Sequence, residues 1–251
     1  MKTKTFLRCA LSVGLAVANG AFAQISTINS ANYHPREFND VPGAALTVVS
    51  NYSSLIRFSE LGVSAPTGFA NRDIWLFSNN GGTTAYQFQN TNYFQVSMSL
   101  TLTASSISPR KEAGFLFDTA GGQGQFIVNT DGHEIVAFGG PLPFYAFPST
   151  YNSGDTITLG INYFRNNGTN SIIYSANGVN SPVLPFTNLE QGIINNSTLG
   201  GYFQIQNAIS NPFNDAIASF QNIRMVPEPS TFALLSLGVL PLGLLLRRRH
   251  I

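Results

Sequence analysis

The stretch Phe94 to Thr103, FQVSMSLTLT, alternates apolar and polar side chains without a break. The apolar set consists of Phe94, Val96, Met98, Leu100 and Leu102, and the polar set consists of Gln95, Ser97, Ser99, Thr101 and Thr103. A period of two is typical of a β-strand that has one buried face and one solvated face. This stretch therefore predicts a strand at the surface of a sandwich or barrel.

Similar runs continue on both sides of this strand. DTITLGINYF repeats the alternation, and the shorter runs GFLFD, QFIVN, EIVAF, SIIYS, GYFQIQ and ASFQNIRM are rich in β-branched and aromatic residues. Asp131-Gly132, Asn167-Gly168 and Asn177-Gly178 separate some of them and are expected to supply the positive φ angles of tight hairpins. Because no amphipathic helix is evident in the body, we predict an all-β fold, an antiparallel two-sheet β-sandwich.

The order of the later runs carries a resemblance. GFLFD, GQFIVNTDGHEIVAF, YNSGDTITLGINYF, SIIYSANG and a closing ASFQNIRM together resemble the concanavalin-like jelly rolls of lectin and laminin-G-type domains. The resemblance covers about 130 residues and implies a jelly-roll-like sandwich. Residues 24–90 give no comparable alignment, so the topology of that part stays open.

The N-terminus predicts a secretory signal peptide over residues 1–23. Lys2, Lys4 and Arg8 precede a short apolar run, and Ala21 and Ala23 place a signal peptidase cut before Gln24. The alternative is an uncleaved anchor, although the apolar run is short of the ~20 residues that a membrane span needs. The only cysteine, Cys9, would leave with the signal, so thiol catalysis and cysteine-bound metals are excluded for the mature chain.

The C-terminal segment 226–251 combines three features. Pro227 and Pro229 bracket Glu228 in an extended stretch, the run 232–246 has no charge, and Arg247, Arg248 and Arg249 follow. Fifteen residues make a helix of about 22 Å, which is short for a hydrocarbon core of ~30 Å. The arginines would hold its end in the cytoplasm by the positive-inside rule. An ordinary C-terminal membrane anchor is the alternative to a processing signal.

In this order the three features resemble the PEP-CTERM sorting signal of Gram-negative bacteria. The resemblance implies cleavage by an exosortase-type membrane protease, with Pro227, Glu228 and Pro229 as recognition residues. It also implies an inner-membrane-anchored precursor that ends at the cell surface or outside the cell. The signal occurs on unrelated bodies, so it does not identify the function of residues 24–225, the predicted sandwich domain.

The charge of the body argues against nucleic-acid binding. Six of the 13 basic residues belong to the two terminal signals, which leaves seven against 11 of the 12 acidic residues and a net charge of about −4 for residues 24–226. A mildly acidic surface with scattered basic residues is unsuited to a phosphate backbone.

Catalytic patterns are weak in this sequence. Glu112 and Asp118 are six residues apart around Gly114 and are expected to flank a strand rather than share one, and Asp131 and Glu134 lie across a turn. Neither pair fits the ~5 Å separation of a retaining glycosidase. The sequence has no nucleophile-elbow serine with which His34 or His133 could form a catalytic triad, so no catalytic residue is predicted.

Metal and cofactor sites are not indicated either. Asp131, His133 and Glu134 are interpreted as a solvated turn, and no cofactor is expected. A calcium ion bound by loop oxygens of Asp118, Asp131 or Asp155 is conceivable but is not located by the sequence.

Polar outward positions and aromatic residues point to sugars as a ligand. Amides and hydroxyls hydrogen-bond sugar hydroxyls without charge, and Trp75, Tyr86, Tyr145 and Tyr151 are candidate apolar platforms for a sugar face. The alternative is that these aromatic residues belong to the core.

Three functions follow as expectations. The first is a non-enzymatic surface or matrix protein that contacts extracellular polysaccharide, and the second is a carbohydrate-active, glycoside hydrolase-like enzyme on the same fold. The third, ice binding, would need flat threonine arrays, for which Thr101/Thr103 and Thr156/Thr158 are few.

Overall fold

The computed structural model describes residues 27–63, 69–186, 194–206 and 214–227. The predicted signal peptide 1–23, Glu228, Pro229, the predicted helix 232–246 and Arg247, Arg248 and Arg249 lie outside these ranges. Within them, no helix is long and apolar enough to cross a membrane. The last strand continues through Val226 and Pro227, the first two residues of the predicted sorting segment.

Two antiparallel sheets form the body, which confirms the predicted all-β sandwich. The seven-stranded sheet contains, in spatial order, β1 (Ser30–Asn39), β4 (Ala70–Ser78), β14 (Thr198–Gln206), β6 (Lys111–Thr119), β7 (Gly122–Asn129), β8 (Ile135–Phe138) and β9 (Tyr145–Ala146). The eight-stranded sheet contains β12 (Val179–Asn180), β11 (Thr169–Ala176), β10 (Thr156–Asn166), β5 (Phe94–Ala104), β15 (Ala216–Pro227), β3 (Leu55–Leu61) and β2 (Ala45–Asn51), with β13 (Leu184–Pro185) also paired to β11.

Strand β5, which contains the alternating stretch 94–103, has the predicted buried and exposed faces. Along β5 the apolar residues of the 94–103 stretch are buried between the sheets, while the intervening polar residues face outward. Its partner β10 repeats this alternation in register, with Leu159 opposite Met98 and Tyr163 opposite Phe94.

Two of the three predicted hairpin turns have the expected backbone. Asn167 and Gly168 join β10 to β11, Asn177 and Gly178 join β11 to β12, and all four residues have positive φ. The β7–β8 turn differs from the prediction, because His133 rather than Asp131 or Gly132 takes the positive φ of 54°. The Asp131 side chain instead accepts a hydrogen bond from the Gly132 backbone within the turn.

An aromatic cluster fills the space between the sheets. The Trp75 ring packs edge-on against Phe77 and Phe220, with ring centroids 5.1 and 5.9 Å apart. The indole fits only because Gly201 lies opposite on β14, where a Cβ atom would come within 2.0 Å of Trp75 Nε1. A disulfide-free domain of this size relies on such packing, since aromatic pairs contribute about 0.5–1.5 kcal/mol beyond their buried area.

Candidate active site

The outer face of the seven-stranded sheet carries one row of side chains across its central strands. Arg72 on β4 pairs with Gln204 on β14, which pairs with Glu112 on β6. Tyr202 lies one row away on β14, opposite Gly114. Because directly paired residues point to the same side of a sheet, strand pairing brings these groups together from distant parts of the chain.

Tyr202 and Glu112 form the centre of the candidate site. The Tyr202 hydroxyl donates a 2.5 Å hydrogen bond to Glu112 Oε1, and Tyr202 is 1% exposed. Burial raises the pKa of Tyr202 well above its usual value of 10, and the charge of Glu112 raises it further. Tyr202 therefore holds its proton at neutral pH, with a carboxylate directly beside it to accept that proton.

Arg72 covers one side of Tyr202. Its guanidinium carbon lies 5.6 Å from the centre of the tyrosine ring, a cation–π distance. Arg72 Nε donates to Gln204 Oε1 at 3.3 Å and Nη1 donates to Gln123 Oε1 at 2.9 Å. A cation with flanking amides beside a proton donor is a suitable environment for an anionic or developing negative charge.

Arg110 covers the other side, next to Glu112. Arg110 Nε contacts Glu112 Oε2 at 2.6 Å, and its Nη1 lies 3.5 Å from Asp131 and 3.6 Å from Glu134. Burial alone would lower the pKa of Arg110, but the hydrogen bond and the three carboxylates raise it overall. Arg110 thus fixes Glu112 in place and separates it from the carboxylates of the β7–β8 turn.

The carboxylate arrangement differs from the expected one. Glu112 and Asp118 do share a strand, β6, and their even spacing places both on the outer face. Six residues of extended chain separate them by about 20 Å, which is too far for joint action on one glycosidic bond. The sequence prediction of a flanking arrangement was wrong because β6 begins earlier, at Lys111.

A second pair of acidic groups lies between the two sheets. Glu60 on β3 and Asp73 on β4 are both 0% exposed, and the charge of Asp73 acts on Glu60 across the space between the sheets. Burial raises the pKa of Glu60 to about 7, assisted by the charge of Asp73, and burial raises the pKa of Asp73 to about 6.

Arg36 closes this buried pair from the outside. Its Nε and Nη2 contact the two carboxylate oxygens of Glu60 at 2.6 and 2.8 Å, and its backbone N–H donates to Asp73 Oδ1 at 2.8 Å. Arg36 occupies the bulge of β1 between His34 and Phe38, with φ of 57°. Because the pair is sealed in this way, it connects the two sheets and offers no access to a substrate.

The aromatic residues predicted as sugar platforms do not meet at one surface. Trp75 is 0% exposed and Tyr151 is 1% exposed, so both rings belong to the core and neither can stack on a sugar in this structure. The Tyr151 hydroxyl is held by Leu102 and Asp155 backbone atoms. Tyr86 and Tyr145 are partly buried, and their rings pack edge-on against Phe88 and Phe147.

The histidines and the predicted metal ligands are also dispersed. His34 is exposed on β1, where it pairs with Ile74 of β4, which in turn pairs with Tyr202 of β14. His133 contacts the Tyr151 carbonyl at 3.0 Å. Among the residues that the structure describes, no group of three His, Cys, Asp or Glu could hold a metal ion. Thr101 and Thr156 lie on the other sheet, where their hydroxyls bond to each other at 2.7 Å.

The sequence did not single out Arg72 or Tyr202, whereas Gln204 is one of the outward amides that it offers for sugar hydroxyls. Alternation within NRDIWLF and GGYFQIQ assigns each of them to one strand face. The pairing of β4 with β14 joins segments about 130 residues apart, and no local pattern encodes it.

No protein-family model matches the chain, and no curated protein matches it. Solved structures do match. An alginate lyase from Corynebacterium sp. is 12% identical, with a TM-score of 0.50 over 72% of this chain and 80% of that chain. An alginate lyase of polysaccharide lyase family 7 is 11% identical, with a TM-score of 0.49 over 80% of this chain and 95% of that chain.

A third match is an endo-1,3-β-glucanase from Streptomyces sioyaensis. It is 13% identical, with a TM-score of 0.48 over 80% of this chain and 92% of that chain. The likeness to the Corynebacterium structure supports a jelly-roll-like sandwich fold for the body. The Corynebacterium structure is that of an alginate lyase, which contradicts the expectation of a non-enzymatic surface or matrix protein.

Proposed function

We propose that this protein is a carbohydrate-active enzyme that cleaves a polysaccharide lying across the outer face of the seven-stranded sheet. The observation that carries the proposal is the 2.5 Å hydrogen bond between Tyr202, a proton donor, and Glu112, a proton acceptor, with the tyrosine ring under the Arg72 guanidinium. Proton transfer by positioned side chains and stabilisation of negative charge are the two requirements for breaking a glycosidic bond without a metal.

The reaction class follows from the carboxylates. Hydrolysis by the common mechanism needs two of them about 5–9.5 Å apart around the bond. Asp131 and Glu134 are within that range of Glu112, but the Arg110 guanidinium pairs with all three and fills the space that a glycosidic bond would need. Asp118 is at the far end of β6. One tyrosine with one carboxylate and one cation fits proton abstraction next to a carboxyl group better. We therefore assign a β-elimination in a uronate-containing chain.

Each group has a role in that reaction. Arg72, with Gln204 and Gln123, neutralises the uronate carboxylate, which makes the adjacent C5 proton acidic. That proton passes to the Tyr202 oxygen while the Tyr202 proton passes to Glu112. The bond between C4 and the glycosidic oxygen breaks, a C4–C5 double bond forms, and the stored proton returns through Tyr202 to the leaving oxygen. Because Tyr202 is covered at rest, the substrate has to displace the Arg72 side chain from the ring.

A polymer panel tests the proposal. The purified full-length protein is incubated with alginate, a second polyuronate and a β-1,3-glucan, and both reducing ends and ultraviolet-absorbing unsaturated ends are measured. Alginate is included because the Corynebacterium enzyme of the same fold is named for it. We expect unsaturated ends from a polyuronate. Reducing ends without unsaturated ends would mean that the enzyme hydrolyses the polymer and does not act by elimination. A folded protein that yields no new ends on any polymer would refute the enzyme proposal.

We further propose that the enzyme is exported by a signal peptide, anchored through its tail and then trimmed by an exosortase-type protease at the Pro-Glu-Pro site. Residues 226–251 support this by their pattern. The fold is compatible with it, since β15 ends at Pro227, so a cut beyond that residue leaves every described strand intact. Mass spectrometry of the native C-terminus checks the proposal, which a full-length protein retained in the inner membrane would contradict.

A further inference from the structure

A depression of about 240 Å³ lies on the outer face of the eight-stranded sheet, on the opposite side of the sandwich from Tyr202. It is located where β5, β10, β11 and β12 meet. Its lining residues are Gln95, Ile161, Asn162, Ile173, Ser175 and Asn180.

The sequence creates this depression by a row of small residues. Gly160 on β10 pairs with Ser97 on β5 and with Ser175 on β11, so the middle of the row has no long side chain. A Cβ atom at Gly160 would come within 2.4 Å of Ser175 Oγ. The next row is taller, because Asn162 pairs with Gln95 and Ile173 there. The Gly160 row therefore forms the floor of the depression, and the Asn162 row forms its wall.

Asn162 has an unmet hydrogen-bonding requirement at this wall. Its Oδ1 atom is buried and has no hydrogen-bond partner. A buried acceptor without a partner costs about 1–3 kcal/mol, and a ligand hydroxyl removes that cost once the amide turns its Oδ1 toward the depression. The orphaned acceptor therefore points to a ligand that donates hydrogen bonds.

The lining specifies the class of ligand. Amides and a hydroxyl supply donors and acceptors, Ile173 supplies an apolar surface, and none of the six lining residues is charged. The nearest basic residue in these rows is Arg224, one strand beyond Ser97. We propose that this depression binds one sugar ring of a neutral polysaccharide, and that it is a second glycan site separate from the Tyr202 face.

The size agrees with a single ring. The volume is below the ~300–1,000 Å³ of sites for drug-sized ligands, and it opens onto a face whose neighbouring outward residues are Ser99, Thr101 and Thr158. A chain extending from the ring would meet hydroxyls along β5 and β10. Such a site would hold the protein on a neutral matrix polymer independently of cleavage.

Calorimetric titration of neutral and acidic oligosaccharides into the full-length protein carrying Tyr202→Phe tests the inference, since that background suppresses turnover. We expect a neutral β-glucan oligosaccharide to bind, and Asn162→Ala to weaken its binding by roughly tenfold, the equivalent of one good hydrogen bond. Ser175→Tyr, which fills the depression, should abolish binding. Arg165→Lys, an exposed change on β10 outside the depression, is the matched control and should bind like the parent.

Two results would contradict the inference. If no neutral oligosaccharide binds, or if Asn162→Ala and Ser175→Tyr both fold and bind like the parent, the depression is not a sugar site. Polymer cleavage by Asn162→Ala in the otherwise wild-type protein is measured separately, so failure of this site and failure of the Tyr202 proposal give different results.

Discussion

The hydroxyl of Tyr202 on β14 donates a 2.5 Å hydrogen bond to the Glu112 carboxylate on β6, although 90 residues separate the two in sequence. Both are held beneath charged neighbours, Arg72 over the tyrosine ring and Arg110 against the carboxylate. The pair provides a proton donor and a proton acceptor in a site largely shielded from water.

Tyr202→Phe removes the proton donor while keeping the ring. We expect kcat on the cleaved polyuronate to fall by about 10²- to 10⁴-fold, the usual contribution of a general acid or base, with little change in KM. Initial rates at several substrate concentrations provide the measurement, and thermal unfolding shows whether the variant is folded. A folded variant that keeps kcat within a few-fold of the wild type would show that Tyr202 transfers no proton.

Arg72→Lys keeps a positive charge but loses the planar guanidinium that reaches Gln204 and Gln123 together. Because hydrogen bonds to charged groups contribute about 1.5–3 kcal/mol, we expect kcat/KM for a polyuronate to fall about tenfold or more. Arg165→Lys, an exposed change on the other sheet, is the control. Equal kcat/KM values in the two variants would show that Arg72 does not contribute to the reaction.

The buried acidic pair predicts a pH dependence of stability. Glu60 ordinarily ionises near pH 4.5, but in the fold its pKa is about 7 because of burial and the Asp73 charge. The folded state therefore holds a proton that the unfolded chain has lost between these values. This contribution to the free energy of unfolding is complete below pH 4.5 and is lost as the pH rises through about 7.

Urea unfolding at pH 5 and pH 8 measures this effect. The wild type should be more stable at pH 5, and Glu60→Gln, which cannot ionise, should show a smaller difference between the two pH values. The same pH difference in both proteins would mean that Glu60 is already ionised in the fold at pH 5.

Gly201→Ala tests the packing of the indole. The added Cβ atom would lie 2.0 Å from Trp75 Nε1, so the ring has to move within a filled core. We expect a loss of about 1–3 kcal/mol in the free energy of unfolding, the typical cost of overpacking. Gly43→Ala adds a methyl group where no atom lies within 4 Å and should be close to neutral. Similar urea midpoints for the two variants would contradict the packing argument.

The sequence by itself determined the strands and which face of each is buried. The alternation along Phe94 to Thr103 decided the inward and outward sides of β5, and Asn167-Gly168 decided the hairpin from β10 to β11, because both are properties of consecutive residues. These local signals were sufficient to predict a two-sheet sandwich.

The candidate site was decided only by the tertiary structure. Trp75 has the aromatic ring that a sugar platform needs, yet it packs against Gly201 and Phe77 in the core. Tyr202 instead lies on the outer face of the seven-stranded sheet. Arg72, Tyr202 and Glu112 meet because β4, β14 and β6 are neighbours in the sheet. Strand order between distant segments depends on the packing of the whole core, and no run of adjacent residues specifies it.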